Sequence, residues 1–322
     1  MINIPHTDSN IWNAEYKTIE IISELQRTKT AIINIDDEGS DLEKLGLYRL
    51  LDNICSTFNI NRSTITIQTR NQLESHCEYV IKKYPPLYIM EGQKFLKENP
   101  TVPKNLNNYF GIFISRSSWQ RLILASHLYN SYKDKLSITY HYDNKLDYHR
   151  AHMGLNELAF KISPGNAVEL TSQLLNNLPI KNDVVDQYPI LSPAHFAIGK
   201  IYHEFFAEVV CETFCEGTTF YPTEKTWRPI MFLTPFMIQG PVNYLANLRQ
   251  LGFKTFSNYW DESYDEDGGM DGIQCIQRNI DMLSKQSIDK LNLMYNDMLP
   301  LLTHNQQVFL ELTNLKFESI WN

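Results

Sequence analysis

The run Tyr221-Pro222-Thr223-Glu224-Lys225 brings together the residue types that grip a pyrophosphate. It lies inside the segment 212–240, ETFCEGTTFYPTEKTWRPIMFLTPFMIQG, which reads as strand, glycine-containing loop, polar turn, helix start and strand. A loop that enters a helix presents unpaired backbone N–H groups and a partial positive charge to phosphate oxygens. Lys225 adds a full positive charge for the same oxygens. Glu224 can accept hydrogen bonds from ribose hydroxyls, as acidic residues do in dinucleotide sites. Tyr221 is close enough in sequence to stack on the nucleotide, and Thr223 completes this candidate set. With Thr226 as N-cap, Pro229 falls in the first turn, where proline is tolerated. A Glu-Lys pair at a helix start is, on its own, more often a solvated surface pair. It is the strand–loop–helix context that gives the dipeptide meaning.

Two series of alternating strand and helix signals must position these residues. In the first, a helix is expected over 14–27, a strand over 30–35, a helix over 42–58, a strand over 63–68 and a helix over 72–83. The polar stretch 98–108, ENPTVPKNLNN, reads as a linker. The second series runs strand 109–114, helix 119–132, strand 136–142, helix 168–178, helix 193–204, strand 208–212, helix 226–233, strand 235–239, helix 243–251 and a short strand 254–256. The remainder from Ile273 reads as helical. The pattern predicts an α/β protein with two Rossmann-like, doubly wound parallel sheets, divided at 1–108 and 109–322, with helices at the C-terminal end. Ligands of such sheets lie outside the carboxyl ends of the strands.

Composition narrows the class. The chain has 322 residues, enough for two domains, with 43% hydrophobic and 12% aromatic residues. Its formal net charge of −8 does not suggest an extended basic surface for nucleic acid. Five scattered cysteines, an odd number, fit a reducing compartment, and no stretch has the length of a signal-peptide core or a membrane span. The expected location is the cytoplasm.

The pattern of Glu212, Tyr221 and Glu224-Lys225, followed by an apolar helix and the strand Pro235-Phe236-Met237-Ile238, resembles the donor-binding signature of α1,3-fucosyltransferase-type enzymes. It is also similar to glycosyltransferases of bacteriophage and environmental origin, through Glu224 to Pro229, Leu251 to Phe256 and Trp260 to Asp265. The resemblance covers roughly the C-terminal two thirds of the chain. It implies a GT-B fold, two Rossmann-like domains facing a cleft, and transfer of a sugar from a nucleotide-diphosphate sugar to a hydroxyl acceptor. It implies that Glu224 contacts the donor ribose and Lys225 the diphosphate. It further implies an arginine on the helix after the second domain's first strand. Arg121 matches that position, with Arg116 just before it. Such enzymes commonly stabilise the leaving diphosphate with cationic side chains and helix N-termini, so no metal cofactor is expected.

An inverting transferase needs a carboxylate to take the acceptor's proton. Asp36, Asp37 and Glu38 follow the first strand expected in the N-terminal series, at its carboxyl end, and are the candidates; a solvated turn or helix-capping cluster is the competing reading. A glycan or glycoconjugate is the expected acceptor. Hydroxylated bases of DNA, as for some phage enzymes, are the alternative, and a sugar-nucleotide epimerase or a non-catalytic nucleotide-sugar binder is the reading from a different class. Other motifs carry less. His149-x-x-His152 has no third ligand at metal-site spacing. Cys211-x-x-x-Cys215 reads as buried structure. The acidic run 261–271 does not match a calcium loop. Trp227, Phe232 and Phe236 read as core.

Overall fold

The computed structural model describes residues 1–5, 15–36, 39–86, 88–99, 104–142, 145–161, 166–181, 199 and 201–321. The chain forms two compact units. Unit 1 comprises Met1–Pro86, Glu216–Thr223 and Thr313–Asn322; unit 2 comprises Leu87–Cys215 and Glu224–Leu312. The chain therefore leaves unit 1 ahead of the proline-containing stretch 98–108 and re-enters it twice.

Unit 1 opens with β1 (Ile2–Pro5), α1 (Glu15–Thr28), β2 (Ala31–Asp36), α2 (Leu47–Phe58), β3 (Ile65–Thr69) and β4 (Val80–Lys83). The four strands pair in chain order, β1-β2-β3-β4, and every pairing is parallel. Successive right-handed crossovers that all step the same way leave their helices on one face. Burial agrees: Ala31, Ile33 and Ile35 of β2 are buried with Ile21 and Leu25 of α1 and Leu47 and Leu51 of α2, whereas Ile32 is 41% exposed. The described part of this sheet is thus wound in one direction.

Unit 2 contains α3 (Ile89–Glu98), β5 (Asn108–Ile114), α4 (Trp119–Tyr132), β6 (Leu136–Tyr140), α5 (Lys145–Lys161), α6 (Asn166–Leu175), β7 (Phe205–Cys211), α7 (Glu224–Met231), β8 (Phe236–Gln239), α8 (Tyr244–Gln250), α9 (Tyr264–Asp267), α10 (Gly269–Ser284) and α11 (Ile288–Glu311). The last element, α12 (Asn314–Trp321), belongs to unit 1. The second sheet is also all-parallel, but its order is β6-β5-β7-β8. The chain steps from β5 outward to β6 and then crosses back to the other side of β5. That reversal puts helices on both faces. One layer consists of α4 against α5, α6 and α10; the other of α7 against α3 and α11. Coverage on both faces explains why β7 and β8 are buried at every position, and why they read as apolar runs interrupted only by Glu208 and Gln239. Among the described residues no helix is long and apolar enough to cross a membrane.

Both sheets are parallel and interleaved with helices, as expected, but several elements differ from the sequence reading. The helix expected over 72–83 is a loop followed by the edge strand β4. Its β-branched end, Val80-Ile81, pairs with Thr66 and Ile67. The strand expected over 254–256 does not form. Asn305 of α11 takes the place of a neighbouring strand, accepting from the Lys254 amide at 2.7 Å and donating to its carbonyl at 2.8 Å. Helix α7 begins at Glu224, so Thr226 lies within it rather than capping it, and Pro229 sits inside the helix. Most of the helix expected over 193–204 lies outside the described residues. Trp227, Phe232 and Phe236 are core, with at most 8% exposure; Cys211 is buried as expected, whereas Cys215 is only half-buried, its thiol donating to Gln239 Oε1 at 2.7 Å.

Candidate functional site

The reversal of strand order in unit 2 creates a point between β5 and β7 where the two following segments leave in opposite directions. In parallel α/β sheets this is where a crevice opens at the carboxyl ends and ligands bind. The residues that follow β5 are Ser115-Arg116-Ser117-Ser118, leading into α4. Ser118 caps that helix, its hydroxyl accepting from the Arg121 amide. The residues that follow β7 are Glu212 and Thr213. Arg116, Arg121, Glu212, Glu224 and Lys225 all belong to unit 2; hydrogen bonds join Arg121 to Arg116 and Glu212, and Lys225 to Glu224.

Each has a defined role there. Arg121 is 6% exposed, and its guanidinium donates to the carbonyls of Glu212 (2.6 Å), Arg116 (2.8 Å) and Cys211 (3.4 Å). It ties the loop after β5 to the end of β7. Glu212, 1% exposed, accepts from the Thr226 hydroxyl at 2.5 Å, the Tyr244 hydroxyl at 3.0 Å and the Thr213 amide at 3.2 Å. Its carboxylate therefore fixes the first turn of α7 over the strand end. Glu224 and Lys225 open α7 and are not in bulk water: their side chains are 9% and 13% exposed. Lys225 Nζ donates to Glu224 Oε1 at 2.9 Å and to Thr213 Oγ1 at 3.2 Å. The result is an ammonium beside a helix N-terminus at the carboxyl end of a central parallel strand, held by a carboxylate and a hydroxyl.

Tyr221 and Thr223 pack in unit 1, so the motif is divided between Thr223 and Glu224. The stretch 216–223 is clamped by Asn71, which donates to the Thr218 carbonyl (2.9 Å) and accepts from the Phe220 amide (3.1 Å). Asp41 accepts from the Thr218 amide at 2.7 Å. Tyr221 is 4% exposed and covers Gly39 so closely that a Cβ there would lie 2.6 Å from Tyr221 Cβ. Gly39 also has φ +90°, a conformation that favours glycine. Asp36 ends β2, but its side chain, and all of Asp37 and Glu38, lie outside the described residues. The acidic run 261–271 has structural partners: Asp265 caps α8 through the amides of Leu245 (2.6 Å) and Ala246 (3.0 Å). The His152 ring packs at a tilt against that of Tyr148, with centroids 4.1 Å apart.

A charged cluster not apparent from the sequence runs along β7, from Glu208 at mid-strand to Lys104 at the amino end. Glu208 of β7 accepts from the Tyr202 hydroxyl at 2.6 Å and faces Arg228 of α7 at 3.8 Å. Lys104 donates to the carbonyls of Tyr202 and Phe205 and to Thr234 Oγ1. The Lys104 side chain is half-buried as a whole, but its ammonium is enclosed. The available signal was a glutamate inside the apolar run FFAEVVC, a position that demands a partner.

Burial pushes Glu208 up to about 7 from the ordinary 4.5, and pushes Lys104 down to about 7 from 10.5. The signs follow. Glu208 holds its proton more tightly in the folded chain, so its contribution to stability is complete below about pH 4.5 and is lost as pH rises through 7. Lys104 holds its proton less tightly, so its contribution is present above about pH 10.5 and lost as pH falls through 7. Melting temperatures of wild type and Glu208→Gln across pH 4.5 to 7 should therefore diverge, with the wild type falling more steeply. Parallel curves would show that Glu208 does not titrate in that window.

No family model, curated protein or solved structure matches the chain.

Proposed function

We propose that the chain is a nucleotide-sugar-dependent glycosyltransferase whose unit 2 holds the donor diphosphate at the end of β7. The observation that carries this reading is the position of Lys225. It stands on the first turn of α7, just beyond the strand-order reversal between β5 and β7. A diphosphate placed there would exchange with Glu224 as the partner of the ammonium and would lie against the positive end of the α7 dipole. Glu224, released from the ion pair, would accept from ribose hydroxyls. The developing charge on the leaving diphosphate is then met by a fixed cation in a partly dehydrated site, where it counts for more than in water. The sequence resemblance to α1,3-fucosyltransferase-type donor sites supports the sugar-transfer reading, and the metal-independent, GT-B, inverting form of the reaction is part of the same proposal. Arg121 acts here through the backbone: it positions the strand end and leaves the diphosphate to Lys225.

A thermal-shift panel of nucleoside diphosphates and nucleotide sugars tests this. A ligand that binds only the folded state at a hundred times its Kd adds about 2.7 kcal/mol. One base should raise the melting temperature clearly above the others. A flat response to ADP, GDP, UDP, CDP and their sugar conjugates would remove the donor site. Release of free sugar or sugar transfer in the presence of the matching donor would separate a transferase from a mere binder, and donor isomerisation without an acceptor would point to an epimerase.

A further inference from the structure

Unit 1 carries a cleft that the donor-site reading does not use. It runs along the edge strand β4, is open to solvent with a volume of about 570 Å3, and is lined by Glu74, His76, Lys82, Lys83, Tyr84 and Trp321 among others. That volume is in the range of small-molecule sites.

The polar groups of this cleft are held in fixed orientations. Glu74 is 7% exposed; its Oε1 accepts from the Tyr48 hydroxyl at 2.8 Å, and its Oε2 from the amide of Leu42 and Nδ2 of Asn71, both at 3.3 Å. A carboxylate offers about four acceptor positions. Oε2 is filled, and Oε1 has one position left. The His76 ring lies against Tyr48 and Tyr79, with centroids 4.3 and 4.8 Å away. Its Nδ1 accepts from the Glu78 amide at 3.1 Å, so the neutral ring carries its proton on Nε2 and offers a donor there. Lys83 donates to the Trp321 carbonyl and fixes the end of α12 beside β4. Lys82 is exposed, and Tyr84 is 41% exposed.

A preset acceptor, a preset donor, an exposed ammonium and two aromatic residues define the ligand chemistry. An anion would meet the buried Glu74 carboxylate, and a purely apolar ligand would strand it. A sugar satisfies the whole set: its hydroxyls donate and accept from adjacent carbons, and its C–H face suits the electron-rich face of an aromatic ring. We infer that the cleft between β4 and α12 is a carbohydrate-binding site for an uncharged glycan. The inference stands whether or not unit 2 binds a nucleotide.

Saturation-transfer NMR on the full chain, without nucleotide, tests it with methyl glycosides of glucose, galactose, mannose, N-acetylglucosamine and fucose and with lactose. At least one of these probes should receive saturation. Tyr84→Ala, an exposed position, and Glu74→Gln, an isosteric change, should each weaken its binding about tenfold. Both variants should keep the response of wild type to nucleoside diphosphates, which separates this test from that of the donor site. No transfer to any probe, transfer that neither variant weakens, or displacement of the sugar by inorganic phosphate would each overturn the assignment.

Discussion

Replacing Lys225 with alanine lowers nucleoside-diphosphate affinity by about one to two orders of magnitude. Hydrogen bonds to charged groups contribute about 1.5–3 kcal/mol, and each 1.4 kcal/mol is a factor of about ten. The single variant also leaves the buried Glu224 without its ion-pair partner. Destabilisation would then accompany the loss of binding and obscure it. The double variant Glu224→Gln/Lys225→Met removes both charges together, and replacement of a buried pair by neutral side chains of similar volume is often close to neutral for stability. Titration calorimetry on the double variant should show lost binding with a nearly unchanged melting temperature. Wild-type affinity in that variant would show that the diphosphate is held elsewhere.

The largest expected effect on stability is at Arg228. Its guanidinium, 9% exposed, faces Glu208 at 3.8 Å, and the ring of Phe113 lies 5.8 Å from it. Arg228→Ala leaves a carboxylate on the central strand β7 with the Tyr202 hydroxyl as its hydrogen-bond donor and a cavity beside it. Breaking a buried pair on one side costs about 3–5 kcal/mol. For a unit of this size that corresponds to a fall of roughly 10 °C in the first thermal transition. The double variant Glu208→Gln/Arg228→Met should recover most of the loss, because no charge is then left buried. A single variant that melts like wild type would mean that the pair is solvated in solution. The two experiments read different things: Arg228 lies deeper along α7 and supports the helix, whereas Lys225 stands at its mouth.

The parallel α/β character of both sheets could be read from sequence because hydrophobic runs and helical spacing are local. Segments 31–36, 65–69, 108–114 and 205–211 are β-branched or aromatic and bounded by polar turns. The reversal of strand order that defines the crevice could not be read that way, since it depends on which edge of β5 receives β7. Nor could the loop at 72–79, where Asn71 and Gln72 spend their amides on distant backbone, at Thr218 and Tyr84, instead of starting a helix. The same holds for the division between Thr223 and Glu224: five consecutive residues read as one grip, yet the first three are packed in unit 1 and the last two open a helix of unit 2. Lys104 shows the limit most plainly. A lysine between Pro103 and Asn105 looks like solvent-exposed linker, and only the fold brings two carbonyls and Thr234 to its ammonium.

A crystal structure of the protein with the nucleoside diphosphate selected by the thermal-shift panel tests the central claim most directly. The β-phosphate should lie within hydrogen-bonding distance of Lys225 Nζ, beside the first amides of α7 and outside the end of β7. Diphosphate density at any other place, with Lys225 still paired to Glu224 and Thr213, would contradict it.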